Sequence, residues 1–141
     1  PPPRPLFNAP ATPSSYTVYK SSAASDVYKR QIQVTEDGGQ NWRRIDMLPG
    51  VPDRFFVNDI KADLHDPDTV YVVVDDHKSG DFSPYVLKSE NRGKSWKSIA
   101  SNLPERHILW RIVQDHEKPG LLFLGTEFGV FFTVNGGGAW T

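Results

Sequence analysis

The sequence predicts an all-β fold, namely a partial β-propeller of about two four-stranded blades and part of a third. Three observations predict it. A motif that ends in tryptophan occurs three times, the segments between the motifs also repeat, and each repeat holds four short runs rich in Val, Ile, Phe and Tyr. Four strands in a period of about 40 to 50 residues are typical of a propeller blade.

The repeated motif has the form Ser/Thr-x-Asp/Asn-x-Gly-x-x-Trp and occurs at residues 35–42, 89–96 and 133–140, which we call the Trp turns. The acidic or amide side chain can accept backbone N–H groups, the glycine can take the positive φ that closes a hairpin, and the tryptophan begins the next strand. We expect the turn between the third and fourth strands to depend on Asp37, Gly39, Trp42, Asn91, Gly93, Trp96, Asn135, Gly137 and Trp140. Asp37 as a catalytic carboxylate or calcium ligand is the less favoured alternative.

Asparagine replaces aspartate in the second and third Trp turns, at residues 91 and 135. One local hydrogen bond contributes about 1 kcal/mol, whereas a buried tryptophan contributes up to about 4 to 6 kcal/mol by area. Asparagine keeps the acceptor oxygen and the tryptophan is present each time. We therefore expect all three turns to fold.

The segments between the Trp turns repeat as well. Residues 55–74 align with residues 107–125, so that Ile60 matches Ile112 and Tyr71 matches Phe123. The first repeat is longer by about eight residues, which predicts an inserted loop at residues 75–84. Val, Ile, Phe and Tyr runs without a 3.6-residue period predict strands at 56–63, 69–75, 84–89, 96–100, 108–115, 120–126 and 129–134.

Residues 1–31 differ from the rest of the chain. The first thirteen contain six prolines, which favours flexible, polyproline-like chain. Residues 21–31, SSAASDVYKRQ, resemble a translated sequencing-library adapter, and an ordinary Ser/Ala-rich strand and turn is the alternative. We expect residues 1–31 to be a disordered or non-native leader and residues 32–141 to form the partial propeller.

Composition argues against several kinds of partner. The chain has 16 basic and 17 acidic residues, with no block of like charge, so nucleic acid is not an expected partner. No apolar run approaches the roughly 20 residues of a membrane span. There is no cysteine for a disulfide or thiolate zinc site, and the four histidines lack metal-ligand spacing, so neither a metal nor a cofactor is predicted.

The Trp turns and their flanks, VLKSENRGKSW followed by NLP, and GLLFLGTEFGVFFTVNGGGAW, resemble Asp-box (bacterial neuraminidase) repeats. Such propellers occur in sortilin-type ectodomains, sialidases and xyloglucan-active endoglucanases, and the similarity is greatest to bacterial repeat proteins described as glycosyl hydrolases. The resemblance covers about residues 32–141 and implies a propeller with an extracytoplasmic location. Asp-boxes occur in enzymes and in receptors, so the resemblance leaves the activity open. No sialidase arginine triad can be placed on this segment.

Loops of an antiparallel blade alternate between its two ends, and the Trp turns occupy one end. The other end, which we call the loop face, carries the predicted loop 75–84, the turn at Glu127 and the inter-blade segments 46–55 and 100–107. Function concentrates in variable loops, so a glycan or protein partner is expected here, a solvated loop being the alternative. The candidate binding residues are Asp75, Asp76, His77, Asp81, Phe82, Tyr85 and Arg111.

Three carboxylates on the loop face are weaker candidates for catalysis. Glu127 lies at a strand end, where it could act as a general acid or base or simply cap its turn. Asp75 and Asp76 could form a catalytic pair or a calcium site, or simply serve the turn. Lys61 and Arg111 lie on innermost strands, where they could line a central channel.

Two functions therefore remain open. The first is a propeller that binds a protein or glycan, and the alternative is a glycoside hydrolase with paired carboxylates across a central cleft. A purely structural blade is a third reading. Open strand edges in a partial propeller also predict that the chain self-associates.

Overall fold

A computed structural model describes residues 7–8, 17–20 and 31–141. They form eleven strands and one short 3-10 turn, His77–Ser79. The strands are β1 Phe7–Asn8, β2 Thr17–Lys20, β3 Ile32–Thr35, β4 Arg43–Ile45, β5 Phe56–Ala62, β6 Val70–Asp76, β7 Asp81–Ser89, β8 Lys97–Ser98, β9 Leu109–Gln114, β10 Leu122–Thr126 and β11 Val130–Thr133. The predicted all-β partial propeller is confirmed. The described part of the chain contains no helix long and apolar enough to cross a membrane.

Three antiparallel sheets follow one another along the chain. Sheet 1 has the order β1-β2-β3-β4, sheet 2 the order β5-β6-β7-β8, and sheet 3 the order β9-β10-β11. Each strand pairs with the next one in sequence, so every sheet is a meander. The strands of sheets 2 and 3 agree closely with the predicted ones.

Sheet 1 takes two strands, β1 and β2, from the predicted leader at residues 1–31. Strand β2 pairs with β3 from Thr17 opposite Thr35 to Lys20 opposite Ile32. Residues 21–30, most of the adapter-like stretch, lie outside the described residues. The division between a leader and a propeller at residue 32 stays a prediction.

The predicted loop at residues 75–84 is wrong in extent. The extra residues lengthen strands β6 and β7, so the turn between them covers only residues 77–80. Gly80 closes this turn with a φ of 88°, a conformation that glycine adopts without strain. Asp75 and Asp76 are therefore strand residues, and Asp81 pairs with Asp76 across the hairpin.

The innermost strands of sheets 2 and 3 contain bulges at equivalent positions. In β5 the register shifts between Val57 and Asp59, so Asn58 lies in the bulge. In β9 the partners of Gly125 and Thr126 are Arg111 and Leu109, which leaves Trp110 unpaired. A bulge turns its residues away from the regular alternation of faces.

The core lies between the sheets. One cluster joins Ile32 and Val34 of sheet 1 to the face of sheet 2 that carries Ile60, Val72 and Leu87. The other joins the opposite face of sheet 2 to sheet 3, and its fully buried members are Tyr71, Val73, Val86, Leu109, Ile112, Leu122 and Leu124. Each sheet thus packs one apolar face against the sheet before it, as propeller blades do.

Buried polar contacts also lock sheet 2 to sheet 3. The Tyr71 hydroxyl donates to Asp63 Oδ2 at 2.7 Å, and Gln114 Nε2 donates to the same oxygen at 2.8 Å. Burial, and then the bond to Asp63, raises the pKa of Tyr71. The Ile112 backbone N–H donates to Asp59 Oδ2 at 3.0 Å, and the Asn58 amide donates to the Leu109 carbonyl at 2.8 Å.

The three Trp turns share one hydrogen-bond pattern. In the first, the Gly39 N–H donates to Thr35 Oγ1 at 2.9 Å and the Asn41 N–H donates to Asp37 Oδ1 at 2.9 Å. The second and third turns repeat both bonds, with the asparagine side-chain oxygen as the second acceptor, so the amide serves in place of the carboxylate.

The Trp turns differ in what precedes them. Trp140 is 4% exposed and donates its indole N–H to the Ile99 carbonyl at 2.7 Å, so it packs on the end of sheet 2. Trp96 is partly buried and packs against the core that joins sheets 1 and 2, but its indole N–H is buried without a hydrogen-bond partner among the described residues. Trp42 is 40% exposed. The tryptophan at the end of a Trp turn is therefore buried by contact with the preceding sheet along the chain: sheet 1 for Trp96 and sheet 2 for Trp140.

Candidate functional site

The β6–β7 hairpin brings the predicted acidic cluster to the loop face, but much of it is buried. Asp75 is 1% exposed, and its Oδ1 accepts hydrogen bonds from the His77 backbone N–H, at 3.1 Å, and from the His77 ring. The other oxygen, Oδ2, is buried without a hydrogen-bond partner among the described residues. Asp76 is 4% exposed and accepts from the Ser79 hydroxyl at 2.8 Å. These carboxylates hold the turn in place.

Asp81 and Tyr85 form a second pair at the start of β7. The Tyr85 hydroxyl donates to Asp81 Oδ2 at 2.5 Å, and the Ser83 N–H donates to Oδ1 at 2.9 Å. These bonds lower the pKa of Asp81, Tyr85 contributing most. Burial, and then the bond to Asp81, raises the pKa of Tyr85. Asp81 is thus a stable anion that already has its donors.

Aromatic and cationic side chains cover the hairpin. The Arg106 guanidinium lies 5.1 Å from the centre of the Phe82 ring and joins the inter-blade segment 100–107 to β7. The Lys78 ammonium lies 4.6 Å from the centre of the Phe56 ring. Contacts of this kind contribute about 0.5 to 1 kcal/mol at exposed sites. The Phe56 ring is buried and the Phe82 ring is partly exposed, so of these two rings Phe82 is the one a ligand could reach.

Trp110 projects from the bulge in β9. Its side chain is 43% exposed, and the His77 ring meets it edge-on at 6.1 Å between centres. Arg111, the next residue, is also exposed and makes no ion pair within the described part of the chain. Ile112 returns to the core. The bulge therefore exposes two consecutive residues, Trp110 and Arg111.

The β10–β11 turn forms the far side of the loop face. Glu127 Oε1 accepts from the Ile108 backbone N–H at 3.2 Å, so this carboxylate serves the turn. Phe128 is 73% exposed and packs edge-on against His107, with 5.0 Å between ring centres. Phe131 flanks the other side of His107 at 5.6 Å. His107 Nδ1 is buried with no partner among the described residues.

The structure places the hairpin candidates and Glu127 at one end of the sheets, and the sequence reasoning left out the most exposed aromatic groups there. Trp110 and Phe128 were absent from the candidates, as was Arg106. Trp110 lies in a strand, where alternation alone would assign it to one face, and only the bulge reveals its exposure. The sequence did offer one indication of this exposure, namely the alignment of Trp110 with Asn58. A change from asparagine to tryptophan at equivalent positions of two repeats indicates that the two side chains have different neighbours.

The described residues contain no group of histidine and acidic side chains that could hold a metal ion. Two surface depressions of the described residues lie beside the second and third Trp turns. One is lined by Arg43, Ile45, Met47 and Trp96, and another by Lys97, Ile99, Ser101 and Asn135. They occupy equivalent places between successive sheets, so they arise from the repeat.

Comparison with solved structures supports this architecture. A GH74 enzyme of Niastella koreensis matches with a TM-score of 0.64 and 21% identity, over 92% of this chain and 20% of that one. The fold is that of a β-propeller. A GH74 xyloglucanase from Xanthomonas campestris matches with a TM-score of 0.59 and 13% identity, over 91% of this chain and 21% of that one. YCF48 bound to D1 peptide matches with a TM-score of 0.58 and 18% identity, over 96% and 42%.

No family model and no curated protein matches the sequence. The present chain spans less than half the length of each of these three structures. At such identities the likeness shows the fold alone.

Proposed function

We propose that this chain is part of an Asp-box β-propeller, formed by residues 32–141, whose loop face binds a protein or glycan ligand around Trp110. The observation that carries the proposal is the bulge in β9, where a 43% exposed indole is followed in sequence by the exposed Arg111. Tryptophan and arginine are the residues most enriched at binding hot spots. An indole offers a large rigid surface that loses little entropy on binding.

The surroundings of Trp110 support a binding role. His77 orients the indole from one side, and the Phe82 ring with its stacked Arg106 adds a second aromatic surface in the β6–β7 hairpin. Exposed cations at Lys78, Arg106 and Arg111 favour a ligand with acidic or hydroxyl groups. The Asp-box assignment rests on the hydroxyl and Asp/Asn hydrogen bonds that the three Trp turns share.

The carboxylates favour binding over catalysis. Asp75 and Asp76 are buried and accept bonds from their own hairpin, and Glu127 accepts a backbone N–H. A general acid or base must reach the substrate with a free proton site. One oxygen of each of these three carboxylates already accepts a hydrogen bond within the protein.

A glycoside hydrolase is the second candidate, because GH74 enzymes are among the solved structures that this chain resembles. Glu127 remains the best placed carboxylate for that role, since its side chain is exposed. Its partner would then lie outside the described residues.

Binding is tested by screening the purified chain on peptide and glycan arrays and measuring affinity for each hit. We expect Trp110→Ala to weaken binding at least about tenfold, the size of a hot-spot residue. Trp42→Ala is the matched control, because Trp42 is 40% exposed but lies at the opposite end of the sheets. Equal affinity of both variants for every hit, or no hit on either array, would overturn the proposal.

The enzyme alternative is tested on the same protein by measuring the release of reducing ends from β-glucans and from sialylated glycans. Turnover that Glu127→Gln abolishes while Trp110→Ala leaves it intact would favour the hydrolase. We expect no turnover from the chain or from either variant.

A further inference from the structure

Two grooves lie at equivalent places between successive sheets. The first groove lies between strand β4 of sheet 1 and the second Trp turn, and the second groove lies between strand β8 of sheet 2 and the third Trp turn. Their volumes are about 560 Å³ and about 440 Å³. Because both arise from one repeat, a difference between their lining residues is specific to one groove.

One side chain closes the second groove over its tryptophan. Asn102 accepts the Trp140 backbone N–H through Oδ1 at 2.7 Å, and its Nδ2 donates to the Trp140 carbonyl at 2.9 Å. The side-chain amide thus pairs with this backbone as a peptide group of a neighbouring strand does. Trp140 is 4% exposed, and the described residues that line the second groove do not include it.

Met47 takes the place of Asn102 in the first groove. Both residues precede a Leu-Pro pair, at residues 48–49 and 103–104. A thioether donates no hydrogen bond and accepts one only weakly, so Met47 cannot bridge a backbone N–H and carbonyl. No described side chain bonds to the backbone of Trp96, and Trp96 itself lines the groove.

The indole of Trp96 is also held less closely than that of Trp140. Trp140 donates its indole N–H to the Ile99 carbonyl at 2.7 Å. Ile45 is the equivalent of Ile99, since each lies three residues after the tryptophan of its sheet. The Trp96 indole N–H nevertheless has no partner among the described residues. The first groove therefore has an apolar wall beside backbone groups that no described side chain uses.

The lining of the first groove carries more cations than anions. One carboxylate, Asp46, lies among three cations, which are Arg43, Arg44 and Lys94. The two arginines already have acidic partners. Lys94 is exposed and forms no ion pair with any described residue, and its equivalent in the second groove is Gly138. The first groove thus offers an ammonium group to an acidic ligand.

We propose that the first groove binds an extended acidic peptide segment of a protein partner. A peptide group of the segment pairs with the Trp96 backbone as Asn102 pairs with that of Trp140. An apolar side chain of the segment lies on the indole, and a carboxylate pairs with Lys94. None of the described residues that line this groove belongs to the surroundings of Trp110, so the site is separate from the loop-face site of the proposed function.

The first experiment tests the acidic character of the ligand on the full chain. The probes are fluorescent acetylated pentapeptides, about 17 Å long when extended, in which aspartate or glutamate alternates with an apolar residue. The same peptides with lysine in place of each acid are the control. By fluorescence anisotropy, we expect the lysine peptides to bind at least about tenfold more weakly than the acidic ones. Lys94→Glu should remove this preference, and Lys118→Glu, exposed in the β9–β10 turn, should keep it.

Two loop grafts test the backbone pairing. Residues 46–47 are replaced either by Ala-Ser-Asn, the sequence of residues 100–102, or by Ala-Ser-Met, so the two proteins differ in one side chain. The asparagine graft supplies the missing amide and should weaken binding of the acidic peptides at least about tenfold relative to the methionine graft. The methionine graft should bind at least as tightly as the parent, because it also lacks the carboxylate of Asp46.

The proposal is overturned if no acidic peptide binds the parent chain, if acidic and lysine peptides bind equally, or if the two grafts have equal affinity. We expect Trp110→Ala to leave the affinity for acidic peptides unchanged, and its loss in that variant would place the peptide on the loop face instead. A glycan that binds the methionine graft but not the asparagine graft would assign the groove to a glycan and would also overturn the proposal.

Discussion

The covered face of sheet 2 and the open face of sheet 3 are built from equivalent positions of one repeat, yet they carry different chemistry. The sheet 2 face combines Tyr71, which donates to Asp63, with Asp63 and Asp59, which each accept a hydrogen bond from sheet 3. The sheet 3 face has Phe123 in place of Tyr71 and Arg111 in place of Asp59. The comparison shows that apolar residues at the sheet-to-sheet contact are kept from one repeat to the next. The polar residues around that contact change from one interface to another.

The same comparison separates structure from function on the loop face. Asn58 and Trp110 occupy equivalent bulges, and Asn58 uses its side chain to hold β9 at 2.8 Å. Trp110 holds no strand and stands 43% exposed beside His77. A bulge that serves packing in one blade thus presents an aromatic side chain in the next.

The largest expected effect comes from breaking the covered interface in strand β10, where Leu124 and Phe123 are neighbours in sequence on opposite faces. Leu124 is fully buried against sheet 2, so Leu124→Ala should lower the free energy of unfolding by about 2 to 5 kcal/mol. Phe123→Ala should cost less than about 1 kcal/mol in the same chain, because Phe123 is 37% exposed. Urea denaturation measures both, and similar losses would contradict the assignment of the two faces.

A smaller effect is expected from the polar lock. Asp59→Ala leaves the buried Ile112 N–H without its acceptor and should cost about 1 to 3 kcal/mol. Asp59→Asn keeps an acceptor oxygen and should recover part of that loss. Arg111→Ala at the equivalent position should change stability by less than about 0.5 kcal/mol. Urea midpoints of the three variants test the comparison, which fails if Arg111→Ala costs as much as Asp59→Ala.

The smallest effect concerns the Trp turns and depends on pH. Bonds from the Asn41 backbone and side chain, and then from Thr35, lower the pKa of Asp37 to about 2. A lowered folded-state pKa stabilises the protein above pH 4, and this contribution is lost as the pH falls through about 2. Asp37→Asn should therefore lose stability at pH 6 but little at pH 2.

Glu90, between Lys88 and Lys97, also has its pKa lowered to about 2, so some acid sensitivity should remain in the Asp37→Asn protein. Asn135→Asp is the reciprocal variant and should add acid sensitivity to the third turn. Urea denaturation midpoints of the parent protein and both variants, measured from pH 6 to pH 2, test this pH dependence. A constant difference between the Asp37→Asn and parent proteins at every pH would contradict it.

Much of the candidate site could be predicted from the sequence, since the order of strands already places residues 75–84 and Glu127 at one end. The burial of Asp75 and Asp76 could not be predicted. Eight extra residues can form a loop or lengthen a hairpin, and only pairing with β7 shows that they lengthen it. The exposure of Trp110 likewise depends on a one-residue bulge, which leaves no mark on the composition of the strand.

The sequence alone determined the all-β repeat, the bounds of most strands and the form of the Trp turns, because these depend on local hydrogen bonds and on the alternation of apolar residues. Only the tertiary structure decided which residues are covered. Equivalent positions such as Tyr71 and Phe123, or Trp140 and Trp42, differ in exposure because a neighbouring sheet packs over one of each pair. The local sequence pattern specifies the strands and turns of each sheet, whereas the burial of a side chain depends on whether another sheet packs against it.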